Sequence, residues 1–239
     1  MIPLVQGEMI KVRTTRTALG FGLASVLLVL AVALISILAG DPDTVQEKKD
    51  SLNLGGALCI PLLLFGIVGA TGEYRHRTLA PAVLIAPDRM RLALARLVAY
   101  VFTALAVGLA MAAVALVIGV PLLASQPGPD LAAVDYLDIV GGGIVSAMLV
   151  TALGVGVGMV VKNQVAGVVG ALVWLFILEP LIPLIDDWLV NLSILGAAAT
   201  LGGASPDEVS WGEALLVLSL WAAGFVAAGL AFERRRDVD

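Results

Sequence analysis

The chain has 239 residues, 60% of them hydrophobic and only 14% charged, with a formal net charge of −5. Soluble domains run about 45–50% apolar and about 25% charged, so this composition excludes an ordinary water-soluble globular domain and places the chain in the membrane class. The single cysteine, Cys59, cannot close an internal disulfide and carries no information on compartment.

Residues 1–17 are predicted to form an interfacial helix. Ile2, Val5, Met9 and Val12 fall on one helical face, with Glu8, Lys11 and Arg13 mostly off it and Arg16 just beyond. Such a helix lies flat at the membrane surface before the chain turns inward. A bilayer core of ~30 Å takes ~20 apolar residues of helix, and six stretches qualify: 18–39, 52–71, 92–123, 139–161, 165–185 and 214–232. The first is too long for a signal-peptide core and is read as a retained span. The fold class is therefore all-α, one membrane domain over residues 1–239 with six transmembrane helices. Asp41–Asp50, "DPDTVQEKKD", has a superficial likeness to a calcium loop. It lacks the third ligand, the central glycine and the closing glutamate, and is read as a solvated hairpin.

Between spans two and three lies "GEYRHRTLAPAVLIAPDRMRLALAR", Gly72 to Arg96, with five arginines and the only histidine. An arginine at the bilayer centre costs about 2.5–3.5 kcal/mol, so this segment belongs in water or among headgroups. Leu79, Ala80, Ala82, Val83, Leu84 and Ile85 form an apolar knot inside it. Pro81 suits the first turn of a short helix. Pro87 followed by Asp88 repeats the device, the aspartate complementing the positive helix end, and predicts the start of span three. Composition alone favours a basic loop held to anionic lipid.

Farther along, "GVGVGMVVK" (Gly154–Lys162) fails as a phosphate loop, since no Gly-Lys-Ser/Thr follows and no strand precedes it. Gly154 and Gly158 instead share one helix face, the spacing of close helix packing. Residues 161–164 read as a tight hairpin. Glu179 is the one carboxylate inside an apolar run, "LFILEPLIPLIDDW". It is a candidate pathway or subunit contact, or a helix-ending carboxylate that reaches the headgroups. Trp188–Leu201, ~14 residues or ~21 Å of helix, is too short to cross. Residues 186–203 are therefore read as a re-entrant outer segment.

Lysine and arginine set the sidedness. Twelve of the 14 fall on the side that holds both termini: Lys11, Arg13, Arg16, Arg75, Arg77, Arg89, Arg91, Arg96, Lys162, Arg234, Arg235 and Arg236. Lys48 and Lys49 stand alone on the other, among aspartates. Both termini are expected in the cytoplasm of a cell with a bacterial-type plasma membrane. No catalytic set is legible. His76 has no Cys or His partner for a metal, the serines at membrane depth lack a histidine, and no aspartate lies in mid-span. Neither a catalytic residue, nor a metal, nor a nucleic-acid partner is expected.

These features resemble the ABC-2-type permeases, the membrane subunits of one class of ATP-binding-cassette exporters. "GEMIKVRTTRTAL" (Gly7–Leu19) looks like the family's basic helix before span one. "EYRHRTLAPAVLIAPDRMRLALAR" (Glu73–Arg96) resembles its cytoplasmic coupling loop through Glu73-Tyr74-Arg75 and Thr78, although Arg77 replaces an expected glycine and Asp88 separates Pro87 from Arg89. "LEPLIPLIDDWLVNLSILGAAATLGG" (Leu178–Gly203) is similar to its outer re-entrant segment.

The resemblance implies a transport subunit with no catalytic site of its own. A separate ATP-binding subunit, holding ATP and Mg, would dock in two copies at residues 73–91. Glu73, Tyr74, Arg75, His76, Arg77, Thr78, Pro81, Pro87 and Arg89 are the candidate contacts, helped by Glu8, Lys11, Arg13 and Arg16. It further implies a second permease chain, identical or not, with a path between the two lined by spans one, two and five. Sparse polarity at mid-span favours a hydrophobic or amphipathic cargo (drug, lipid or peptide). The rival readings are an ATP-independent secondary transporter or channel, and a membrane scaffold that does not transport. For the topology, cysteines placed at Asp43, Asp130 and Asp207 are expected to react with an impermeant maleimide on intact cells, and one at Arg89 only after lysis. The reverse pattern refutes the sidedness.

Overall fold

The computed structural model describes residues 2–76, 89–184, 187–204 and 209–234. Every element among them is helical. α1 (Ile2–Thr14) and α2 (Arg16–Gly40) are divided by Thr15, whose extended backbone lets the chain change direction. α3 (Val45–Ser51) opens on a capping box: the Glu47 N–H donates to Thr44 Oγ1 at 3.2 Å, and the Thr44 N–H to Glu47 Oε2 at 3.4 Å. α4 (Leu54–His76) follows. α5 (Arg89–Val114) runs on through a π turn, Ala115–Gly119, into Val120–Leu123. α6 (Ala133–Val161) ends at Lys162, in the left-handed region with φ 57°. Asn163 Oδ1 then accepts the N–H groups of Val165 and Ala166, at 3.0 and 3.2 Å, and starts α7 (Gln164–Val173).

α7 loses its α form by stages, first in a π turn at Trp174–Leu178 and then in a 3₁₀ run at Glu179–Leu184. Pro180 and Pro183 have no N–H to donate, so the α ladder cannot continue there. A second 3₁₀ run, Asp187–Leu192, leads to α8 (Ile194–Leu201), capped by Ser193 Oγ accepting the Gly196 N–H at 2.8 Å. α9 (Trp211–Arg234) closes the bundle.

Six of these runs are long and apolar enough to cross a membrane: Arg16–Gly40, Val45–Gly72, Arg89–Leu123, Ala133–Val161, Gln164–Leu184 and Trp211–Arg234. The chain is a multi-pass membrane helix bundle. Two helix ends lie well outside the sequence expectation. α4 runs past residue 71 to His76, because none of residues 72–76 is a proline that would break its backbone ladder. α6 begins at Ala133 rather than 139, because Asp135 accepts the Ala132 N–H at 2.8 Å and turns a polar stretch into a capped first turn.

α4 and α6 form the centre, and the other helices surround them. They meet through small residues. A Cβ on Gly154 would overlap the Leu63 carbonyl oxygen, and one on Gly158 would come within 2.6 Å of Ala70 Cβ. In return, a Cβ on Gly66 would come within 2.5 Å of the Thr151 carbonyl oxygen. Backbone therefore touches backbone, the arrangement by which dispersion holds helices together where lipid removes the hydrophobic drive. α8 is seated in the same way, its Ala198 and Leu201 carbonyls against Gly55 of α4 and Gly142 of α6. The outward faces of α2, α7 and α9 present Leu23, Leu27, Phe176 and Leu220, all more than half exposed, as a lipid-facing surface requires.

The two ends of the bundle differ in charge. One carries Lys11, Arg13, Arg16, Arg89, Arg91, Arg96, Lys162 and Arg234. At the other, Lys49 pairs with Asp135 at 2.5 Å, and buried Lys48 donates to the Gly128 carbonyl at 3.5 Å. Gly128 has φ 85° and lies directly against the Asp43 backbone, a position no larger residue could take. Gly154→Ala is expected to lower the thermal midpoint of the purified chain by at least ~5 °C, because a main-chain contact must open. Gly141→Ala, where an added Cβ meets nothing within 4 Å, is expected to leave the midpoint within ~1 °C.

Candidate functional site

At the basic end, α1 lies against α5 rather than free on a surface. The sequence period put Glu8 mostly off the apolar face, yet Glu8 is only 4% exposed, like Val12, while Ile2 is 74% exposed. The reason is a partner from another helix. Arg96 of α5 is itself buried, and its Nε lies 3.9 Å from Glu8 Oε2. Lys11 Nζ approaches Glu8 Oε1 to 2.5 Å from one turn along α1. Arg96 Nη1 also donates to the Ala70 carbonyl of α4 at 3.4 Å. Farther along, Thr103 Oγ1 of α5 lies 3.8 Å from Met9 Sδ. One guanidinium thus joins α1 to the last turns of α4 and the first turns of α5, the two helices that flank residues 77–88.

Of the candidate docking residues, Glu73, Tyr74, Arg75 and His76 form the last turn of α4, and their side chains lie outside the description. Arg77, Thr78, Pro81 and Pro87 lie outside the described residues. Arg89 opens α5 and is half-buried. Arg13 and Arg16 are exposed at the same end, on α1 and at the start of α2. Lys162, in the α6–α7 hairpin, pairs with buried Glu233 of α9 at 3.3 Å. Gly154 and Gly158 take the places between α4 and α6 described above, and the Gly158 carbonyl accepts the Lys162 N–H at 2.9 Å.

Glu179 occupies a second polar locus. It is buried, 7% exposed. Its N–H closes the π turn on the Trp174 carbonyl. Its Oε1 accepts the Leu195 N–H at 2.8 Å and a hydrogen bond from Ser193 Oγ. The carboxylate therefore sits at the N-terminus of α8, where orphan N–H groups and the helix dipole favour a negative charge. Among the described residues its Oε2 is buried without a hydrogen-bond partner, as are Trp174 Nε1 and Asn191 Oδ1. Trp221 Nε1 of α9 donates to the Leu192 carbonyl at 3.0 Å and holds the chain just before α8.

Beside this locus is a cavity of about 200 Å³ among α4, α6, α7, α8 and α9, with Trp174, Trp221, Phe225 and Ile194 in its wall. Trp174 and Trp221 meet edge to face with centroids 5.5 Å apart, and Trp221 stacks on Phe225 at 6.0 Å. A shallow apolar groove of about 430 Å³ on the outside of α9 shares Trp221 and Phe225 with the cavity.

Sequence reading counted Arg96 among solvated basic residues and missed it as the partner of Glu8. The available signal was its position, with Leu92 and Ala93 before it and an apolar run from Leu97 after it. Ser193 was missed as the partner of Glu179. As the residue before a helical apolar stretch, it carries a cap signal. No family model matches the chain, and no curated protein sequence matches it.

Removing one member of a buried pair leaves the other charge uncompensated, at a cost of about 3–5 kcal/mol. Glu8→Ala is expected to release α1, with tryptic cleavage at Lys11 and Arg13 at least ~10-fold faster than in the unaltered chain. Glu8→Arg combined with Arg96→Glu is expected to recover much of the protection.

Proposed function

We propose that the chain is the permease subunit of an ATP-binding-cassette exporter of the ABC-2 type, driven by a separate nucleotide-binding subunit. The supporting observation is the Glu8–Arg96–Ala70 joint. A motor protein that pushes on the basic segment must move transmembrane helices rather than bend a loose loop. Arg96 ties together the two helices that flank this segment and adds α1 to them. The three then move as one body, and α4 carries the motion into the α4–α6 centre. The charged residues left at the surface, including Arg13 and Arg16, surround this body and suit a soluble partner.

In this reading Glu73, Tyr74, Arg75, His76, Arg77, Thr78, Pro81, Pro87 and Arg89 supply the docking surface. ATP and Mg reside in the partner, and both termini face the cytoplasm. Residues 186–203 form the outer re-entrant segment. That placement is supported by Trp221 holding Leu192 well inside α9, while Gln46 Nε2 of α3 donates to the Gly203 carbonyl at 3.3 Å, out at the end of the bundle. A second permease chain completes the transporter. The cargo is hydrophobic or amphipathic, because the described interior offers few polar side chains to replace water around an ion or a sugar.

The test is co-purification from native membranes. The tagged chain is expected to bring down an ATP-hydrolysing subunit, and Glu73→Ala with Arg75→Ala to reduce its recovery at least ~10-fold while membrane insertion is unchanged. Transport of cargo by the purified chain alone, indifferent to nucleotide, overturns the proposal in favour of a secondary transporter. A stable partner with no ATPase activity and no transport overturns it in favour of a scaffold.

A further inference from the structure

The cavity beside Glu179 combines three features that together select a ligand. Its wall is aromatic: Trp174, Trp221 and Phe225 line it, Trp174 edge to face with Trp221 and Phe225 stacked on Trp221. Aromatic faces carry negative potential and attract cations, most strongly where water is excluded. A carboxylate lies next to this wall. Ile194 lines the cavity, and the two residues on either side of it, Ser193 and Leu195, are the ones that hold Glu179 Oε1. Trp174, also in the wall, is one π turn from Glu179. Only one oxygen of that carboxylate is satisfied. Oε2 is buried with no hydrogen-bond partner, and no lysine or arginine pairs with Glu179 among the described residues. Size is the third feature. About 200 Å³ is below the roughly 300–1,000 Å³ of a site that encloses a whole drug-sized molecule. It suits a compact head group, and the groove of about 430 Å³ on α9 continues from Trp221 and Phe225 as a bed for an apolar tail.

We propose that this intrasubunit cavity, walled by Trp174, Trp221 and Phe225 with Glu179 held behind Ile194, binds the head group of an amphipathic organic cation, whose apolar tail lies in the α9 groove. An anion would face both a carboxylate behind the wall and aromatic rings, and a neutral hydrocarbon would use neither. The proposal rests on the reading of the chain as a permease for amphipathic cargo and narrows that cargo to cations. It places the first contact inside one chain rather than between two. The ligand reaches the cavity from the lipid side, along α9, where Leu220 is exposed.

The experiment uses the full chain in lipid nanodiscs and two probes of one shape, benzyltrimethylammonium and its uncharged carbon isostere neopentylbenzene. Binding is read from tryptophan fluorescence. The cation is expected to quench saturably, and Trp174→Phe to remove part of the signal. Glu179→Gln keeps an oxygen for Ser193 and Leu195 and so spares the α8 cap. It is expected to weaken the cation about tenfold, while the isostere stays within about twofold. Gly170 lines the cavity with nothing within 4 Å of an added Cβ, so Gly170→Phe is expected to block both probes without touching Glu179. Non-saturable quenching, cation affinity unchanged by Glu179→Gln, equal loss of both probes in that variant, or full binding in Gly170→Phe each overturns the proposal. No nucleotide or partner enters this measurement. Failed ATPase co-purification with intact cation selectivity therefore rejects the exporter reading and leaves the site standing, and the opposite pair of results does the reverse.

Discussion

The close approach of α4 and α6 is the constraint on which the rest of the bundle depends. With lipid outside, burying a leucine against another helix gains little over leaving it in the hydrocarbon. What holds the helices together is short-range dispersion, and this falls away steeply with distance. Gly66, Gly154 and Gly158 let main chain meet main chain over several turns. That contact fixes the rotation of both helices about their axes, and so fixes which residues they offer to their neighbours. Gly55 and Gly142 then stand where α8 can seat its Ala198 and Leu201 carbonyls. Gly156 lies against the backbone of α9 at Phe225 and Val226. A bulky residue at the first contact would displace all of these at once.

Charge is handled by one rule at both ends. Where the chain is buried, an ionic group is kept only with a partner from another element or from a helix terminus, since desolvation otherwise exceeds the gain. Glu8 meets Arg96, Glu233 meets Lys162, Lys49 meets Asp135, and Glu179 meets the first turn of α8. Each pair closes a contact distant in sequence, so each works as a fastener between helices that apolar packing alone would leave free to slide. Glu179 is the exception in one respect. Half of its hydrogen-bonding capacity is unused among the described residues, and this sets it apart from the structural pairs.

The six membrane runs are legible in the sequence because length and apolarity are local properties that need no partner to read. The 161–164 hairpin is legible for the same reason, since Asn163 caps its own chain two and three residues on. Glu8 is not. A helical period assigns each side chain to a face by its polarity alone, and the residue that makes Glu8 an inward-facing group lies on α5. Glu179 stands out in sequence as a carboxylate in an apolar run. Its contact with Ser193 does not, because it exists only once Pro180 and Pro183 have broken α7 and the chain has reversed. The aromatic cavity is illegible for a related reason. Trp174, Ile194 and Trp221 share no periodic pattern and are gathered by the packing of three separate helices. Residues 77–88 lie outside the described residues, and the charged stretch Gly72–Arg96 that contains them is read from the sequence alone.

α4 connects the two polar loci physically. Near His76, its Ala70 carbonyl is held by Arg96 and, through Arg96, by α1. At its other end, Gly55 is in backbone contact with Ala198 of α8, the helix whose N-terminus Glu179 caps. A displacement of α4 along or about its axis therefore acts on α8, and through Glu179 on α7. Of the six membrane runs, α7 is the one that passes from α through π to 3₁₀ within a single span. These forms differ by one residue in hydrogen-bond register, so a shift between them changes the helix length near Trp174 while most of the backbone bonds survive. In the proposed permease this is where motion delivered at the basic end would alter the shape of the aromatic cavity. Packed contacts become a route for coupling only when the element at their end has two arrangements of similar energy, and the α–π–3₁₀ run beside Glu179 is the stretch of this bundle whose hydrogen bonding admits a second arrangement at least cost.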